Sequence, residues 1–233
     1  MNTTRPFLIA ALVLVLAPVA LADTAHARTK ILKGTFDIDW SSLLLFRQNS
    51  TPILDTSGND IGTDSTSEFS LITGITPKYF VVDNVSVGVT LGYALLNRNQ
   101  SRDFDDSSAN DTDTTISDTG IPVLVVGHYH AAVGDHRYFF IGGGLGWTFA
   151  GSREVPDPTD PNRTINSDLS GFIARGELGL MVYLSKQVNV RATLTGLYRN
   201  LTETQENTTG SDDLEKTSST IDAGFGIGVG YSF

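Results

Sequence analysis

The residues most able to do chemistry in this 233-residue chain are charged side chains set within otherwise apolar, alternating segments. Asp37 and Asp39, for example, flank Ile38 and precede Trp40. Residues two positions apart share one face of a β-strand. Charges on an enclosed face must pair, because an unpaired buried charge is costly. The sequence therefore predicts an internal charge network, whose members are Lys33, Asp37, Asp39, Glu68, Arg175, Glu177, Arg191, Arg199 and Asp222.

Histidine and serine are the next residue types in the chain that could carry chemistry. His128 and His130 stand two positions apart, so they share a strand face, and such spacing permits metal binding if an acidic residue lies nearby. Membership of the same polar network is the favoured interpretation, so no metal and no other cofactor is predicted. No Ser/His/acid set falls on one strand face. The sequence therefore predicts no catalytic residue and no enzymatic activity.

The elements that must position these residues are strands. From Ile221 to Phe233 every odd position is apolar and every even position is small or polar, a period of two residues. Long polar connections are predicted near 48–65, 99–115, 153–166 and 203–216, and short turns at 81–83, 134–136 and 185–186. Strands are predicted near 30–47, 66–80, 84–98, 116–133, 137–152, 167–184, 187–202 and 217–233.

This pattern predicts an all-β fold, an eight-stranded antiparallel up-and-down transmembrane β-barrel. A register shift of one residue would move the charges into lipid, at roughly 2–4 kcal/mol for each arginine near the midplane. Aromatic residues near the strand ends are expected to form two interfacial girdles. On the short-turn side these are Tyr79, Phe80, Phe139, Tyr183, Tyr231 and Phe233, and on the loop side Phe46, Trp147, Phe149, Phe172 and Tyr198.

The N-terminus and the composition indicate export. Arg5 precedes an apolar run from Phe7 to Leu21, which is typical of a signal peptide over residues 1–22, with cleavage after Ala27 as an alternative. The barrel domain then spans 23–233. The chain has no cysteine and a formal net charge of -10, which argues against nucleic acid as a partner. The bacterial outer membrane is the expected location, and outer-membrane lipid, lipopolysaccharide and periplasmic chaperones are expected partners.

Three segments resemble the OmpA/OmpX-like family of small outer-membrane β-barrels. Residues 73–93 resemble its second hairpin, and residues 138–147 resemble its glycine-rich fifth strand. Gly228, Tyr231 and Phe233 resemble the terminal signal that the barrel-assembly machinery reads, although Gly226 stands where a polar residue is usual. The resemblance covers the whole mature chain, and no peptidoglycan-binding domain is expected, since the chain ends with the barrel. It implies less about function, because the family includes structural proteins, adhesins, narrow channels and lipid-modifying enzymes.

The resemblance also bears on catalysis. Lipid A deacylases of the outer membrane use a His-x-Ser arrangement on one strand, whereas residues 127–131 here read Gly-His-Tyr-His-Ala. The serine is missing, so an enzyme is the third choice of function. The first is an envelope-integrity or surface-interaction role through four acidic extracellular loops, and the second is a narrow, low-conductance channel for small solutes. A monomer is expected, because a closed barrel has no free sheet edge.

The acidic loops allow two interpretations. Their aspartates keep the loops solvated in the favoured one. In the other, weakly bound Ca²⁺ bridges them to phosphorylated lipopolysaccharide, although the spacing is not that of an EF-hand. The residues concerned are Asp103, Asp105, Asp106, Asp111 and Asp113.

Overall fold

The computed structural model describes residues 31–54, 60–104, 112–157, 160–205 and 214–233. The predicted signal peptide and both cleavage sites lie outside the described residues. In the described part of the chain, no helix is long and apolar enough to cross a membrane. The strands are β1 (Phe36–Leu54), β2 (Asp60–Val82), β3 (Val85–Phe104), β4 (Thr112–Ala132), β5 (Arg137–Asp157), β6 (Asp160–Tyr183), β7 (Val188–Gln205) and β8 (Leu214–Ser232).

Each strand pairs antiparallel with the next, and β8 pairs with β1, so the sheet closes into an eight-stranded barrel. The predicted fold class is confirmed. On β3 the outward side chains from Val85 to Leu95 are apolar, whereas those facing the interior include Ser86 and Thr90, which are buried. This outward band is about as long as the 9–11 residues that a tilted strand needs to cross a bilayer.

The strands continue further towards the loops than predicted. Of the expected loop at 99–115, for instance, residues 99–104 lie in β3 and residues 112–115 lie in β4, and 105–111 lie outside the described residues. Cross-strand side-chain bonds join these extensions: Thr115 donates to Asn99 at 3.0 Å and Ser117 donates to Asn97 at 3.0 Å. Such segments are polar on both faces. Their sequences therefore lack the alternation of apolar and polar residues by which a strand is predicted.

A polar collar surrounds the barrel above the apolar band. It consists of outward Ser, Thr and Asn side chains on the strand extensions, with outward carboxylates such as Glu154 among them, and no Lys or Arg with a described side chain faces outward there. Its hydrogen-bonded members include Ser50, Ser65, Asn97, Asn99, Thr115, Ser117, Thr119, Ser152, Thr202 and Thr217.

Candidate functional site

The interior of the barrel is filled with side chains in layers. At the short-turn end lies an aromatic plug, which consists of Ile31, Phe80, Tyr138, Phe140, Met181 and Tyr183. The rings of Tyr138 and Tyr183 meet edge to face at 5.9 Å. His130 packs between this plug and the charges above it, 5.2 Å from the ring of Phe80.

Phe80 and Tyr183 correct the predicted girdle, because both are fully buried inside the barrel. Phe80 lies two positions after Lys78, and Tyr183 lies two positions after Met181. Lys78 and Met181 are on the interior face, so Phe80 and Tyr183 are on that face too. Position near a strand end predicts an interfacial location, but whether a side chain points outward or inward depends on the alternation along the strand. Tyr79, Tyr231 and Phe233 are exposed outward as expected for a girdle.

A lower charged layer lies above the plug. The carboxylate of Asp39 contacts both the ammonium of Lys78 and the guanidinium of Arg191, and all three residues are buried. Glu177 contacts Nε2 of His128 and lies 3.4 Å from Nε of Arg175. Together with buried Asp37, three carboxylates therefore face three Lys or Arg cations.

An apolar belt separates this layer from the loop end. It consists of the buried residues Leu43, Leu45, Leu124, Val126, Ile173 and Leu197, with Ile72 packed against them. The side chains come from β1, β2, β4, β6 and β7, so they meet across the interior. The cavities that border the belt measure about 20, 20 and 30 Å³, room for little more than a water molecule.

An upper charged layer covers the belt. Arg199 lies 3.1 Å from Glu68 and 2.6 Å from Asp222, and Arg98 also reaches Glu68 at 3.2 Å. A neighbouring group is centred on Arg153, which makes two 2.8 Å bonds to Asp118 and one of 2.6 Å to Glu203.

The structure places eight of the nine predicted network residues inside the barrel, in two separate layers rather than one network. Lys33 is the exception. Its side chain is exposed, and its backbone N–H donates to Asp83 at 2.8 Å. Residues 33–34 form a turn, with Gly34 at a φ of 89°, and β1 begins at Phe36. The alternation therefore does not extend back to Lys33.

Sequence reasoning missed several members. Lys78 is the clearest omission. It lies an even number of positions from Glu68 on the same strand, so both side chains must share the interior face, and this spacing could have identified it. Arg98 and Asp118 sit at the ends of predicted strands. Arg153 and Glu203 fall in segments that were interpreted as loops.

Inward glycines make room for the charged side chains. A Cβ at Gly230 would overlap the side chains of Asp39 and Asn189, and one at Gly142 would overlap the ring of His128. Gly228, predicted as part of the assembly signal, lies against the side chain of Arg191.

The other two signal residues face outward. The rings of Tyr231 and Phe233 meet at 4.9 Å, and Phe233 also packs 5.9 Å from Phe36 at the seam between β8 and β1. Recognition of Gly228, Tyr231 and Phe233 by assembly machinery stays a prediction.

The two histidines lie inside, as their parity implies, with ring centroids 6.1 Å apart. Nε2 of His130 is 3.4 Å from the hydroxyl of Ser86, but the nearby carboxylate of Glu177 contacts His128 instead. Ser86 and His130 are both buried. Among the described residues, no group of three or more His, Cys, Asp or Glu side chains could hold a metal ion.

The structure describes two of the five acidic loop residues. Asp103 is exposed and accepts a 3.2 Å bond from Ser101, and Asp113 is exposed near the start of β4. Asp105, Asp106 and Asp111 lie outside the described residues.

A polar vestibule of about 390 Å³ opens at the loop end of the barrel. The sole ion pair in its described lining joins Arg102 to Asp64 at 3.1 Å. The other inward lining residues are uncharged: Asn49, Thr51, Thr66, Gln100 and Thr114.

Comparisons with known proteins find several solved structures that are similar to this chain. OprG of Pseudomonas aeruginosa is 15% identical, with 88% of this chain and 99% of that chain covered and a TM-score of 0.54. Neisserial surface protein A is 11% identical, with 86% and 98% covered and a TM-score of 0.44. No curated protein matches. The family model described as "Outer membrane protein beta-barrel domain" matches residues 7–233. The chain therefore belongs to the outer membrane protein β-barrel domain family and is a barrel of the bacterial outer membrane.

Proposed function

We propose that the protein is a non-conducting, non-enzymatic barrel that supports the envelope and acts at its outer surface. The observation that carries this proposal is the interior filled with side chains, in which the aromatic plug and the apolar belt lie one above the other and the cavities that border the belt measure at most about 30 Å³. An eight-stranded barrel has an interior just wide enough for side chains to fill.

The apolar belt is the first apolar seal that an ion entering from the loop end would meet. A hydrated ion would have to lose its water to pass Leu43, Leu124 and Leu197, and no polar group in the belt would replace that water. The charged layers on either side do not offer mobile charges, because their buried arginines are held by carboxylates. A rearrangement of ion pairs within the charged layers would not open a path through the apolar belt.

The outer surface supports a role in the envelope. The apolar band suits the bilayer, and the polar collar continues from it at the height of the lipid headgroups. The collar carries hydroxyl, amide and carboxylate groups but no outward cation among its described side chains, so direct contact with lipopolysaccharide would run through sugar hydroxyls rather than through arginine–phosphate pairs. We include barrel-assembly machinery and periplasmic chaperones as partners in this proposal, and a monomeric state.

Single-channel recording in a planar bilayer tests the proposal. Refolded protein that passes a boiling-dependent gel-shift control is expected to show no openings. Opening the two seals in turn tests their roles. Leu43→Ser/Leu197→Ser alone should stay closed, because the aromatic plug remains. The same variant with Phe80→Ala and Phe140→Ala added should conduct if it passes the same folding control.

The rival channel makes the opposite prediction. Reproducible small openings from the wild-type barrel, altered by Glu177→Gln but not by the outward Glu154→Gln, would make the interior the functional site. That result would overturn the proposed closed barrel.

A further inference from the structure

We propose that the vestibule binds a neutral, polyhydroxylated ligand, of the size of a disaccharide unit in a glycan. This inference rests on the proposed role at the outer surface and names a ligand class for it. The volume of the vestibule, about 390 Å³, falls at the small end of the range for ligand pockets, which runs from roughly 300 to 1,000 Å³.

The lining is an ordered array, because its residues are direct cross-strand partners. Strands lie about 4.8 Å apart, so a row across four of them spans about 14 Å, and two such rows lie about 7 Å apart along the strands. A disaccharide can lie along such a surface and meet both rows. The lower row is Asn49, Thr66, Gln100 and Thr114, and the upper row is Thr51, Asp64 and Arg102.

The carboxamides of the vestibule have hydrogen-bonding capacity to spare. The side chains of Asn49 and Gln100 make no hydrogen bond to any described residue. Asn97 and Asn99, on the collar, are instead bonded by the hydroxyls of Ser117 and Thr115. A carboxamide offers donors and an acceptor together, which suits a vicinal pair of hydroxyl groups. The inward carboxamides are therefore free to bind a ligand with both their oxygen and their NH2 group, whereas the oxygens of the outward ones already accept a hydrogen bond from a neighbouring strand.

Charge and polarity select a neutral ligand. Arg102 and Asp64 neutralise each other within the lining, and the floor beneath them is closed by the pair of Arg98 and Glu68. Within the described lining, a phosphorylated or carboxylated ligand would find no cation apart from Arg102, which Asp64 already pairs, and an ammonium group would find no spare carboxylate. No apolar side chain lines the cavity, so an acyl or aromatic ligand would lose water without gaining a partner.

Nuclear magnetic resonance can test this on the refolded barrel in a detergent without a sugar headgroup. Sucrose and maltose serve as neutral probes, and glucose 6-phosphate serves as the charged comparison. Saturable shifts of the side-chain amide signals of Asn49 and Gln100 are expected, with a dissociation constant of about 1 mM. Glucose 6-phosphate should shift them at least tenfold less at equal concentration.

The matched variants are Gln100→Ala, which faces the vestibule, and Asn99→Ala, its neighbour on the opposite face of the strand. Affinity for the disaccharide should fall at least fivefold in the first and stay unchanged in the second. No saturable shift with either sugar, equal loss in both variants, or tighter binding of the phosphate would each overturn the inference. The proposed closed barrel is judged separately by its conductance, so either proposal can fail alone.

Discussion

Replacing Asp39 by asparagine should destabilise the barrel severely. Its carboxylate is 1% exposed and contacts both Lys78 and Arg191, which are also buried. Asparagine keeps the shape, so no cavity forms, but two cations lose the anion between them and the lower charged layer gains one net positive charge. Breaking a buried pair by removing one partner costs about 3–5 kcal/mol. We expect a loss of that size in the free energy of unfolding.

The assay is a reversible urea titration in phospholipid vesicles, followed by the fluorescence of the outward Trp40 and Trp147. The control is Asp103→Asn, an exposed carboxylate on the collar side, which should change stability by less than about 0.5 kcal/mol.

A second variant tests the charge arithmetic itself. Adding Lys78→Met to Asp39→Asn restores the balance, since Asp37 and Glu177 then face Arg175 and Arg191. The double variant should therefore be more stable than Asp39→Asn alone, with a coupling energy above about 1 kcal/mol. A loss below about 1 kcal/mol for Asp39→Asn, together with no recovery in the double variant, would refute the reasoning.

Three further changes probe the packing. Gly146→Ala should lower the folded fraction in a boiling gel shift, because its Cβ would overlap the carbonyl oxygen of Val123, whereas Gly176→Ala meets no atom within 4 Å and should fold normally. Phe80→Ala should cost about 3–5 kcal/mol by urea titration, and the lipid-facing Phe225→Ala less, because acyl chains fill the space it leaves; equal losses would contradict this. Asn84 has a φ of 65° in the turn after β2, so Asn84→Val should cost about 1–2 kcal/mol by the same titration, whereas Asn84→Gly should cost almost nothing.

Strand parity predicted most of the barrel and the faces of its charges, because a transmembrane strand must separate apolar from polar side chains at every second residue. Asp39 and Arg191 were placed on the interior face for that reason, and they meet there. The same rule failed at Lys33, where a turn interrupts the alternation.

Other parts could not be predicted. The division of the interior into two charged layers depends on the stagger between strands, which brings Leu43 level with Leu124 and Leu197 and is not visible in any single strand. The vestibule was missed because its strand extensions are polar on both faces, so residues such as Gln100 were assigned to loops.

The glycines of the interior have a consequence for how this sequence can evolve. Gly230 leaves the space that the side chains of Asp39 and Asn189 occupy, although the three positions lie on three different strands far apart in the chain. A larger residue at 230 is acceptable only if both of the other side chains shrink or move away, because its Cβ would overlap each of them. Substitutions at these positions should therefore be inherited as compensated sets, and a library that varies one of them alone should recover almost only the parental residue.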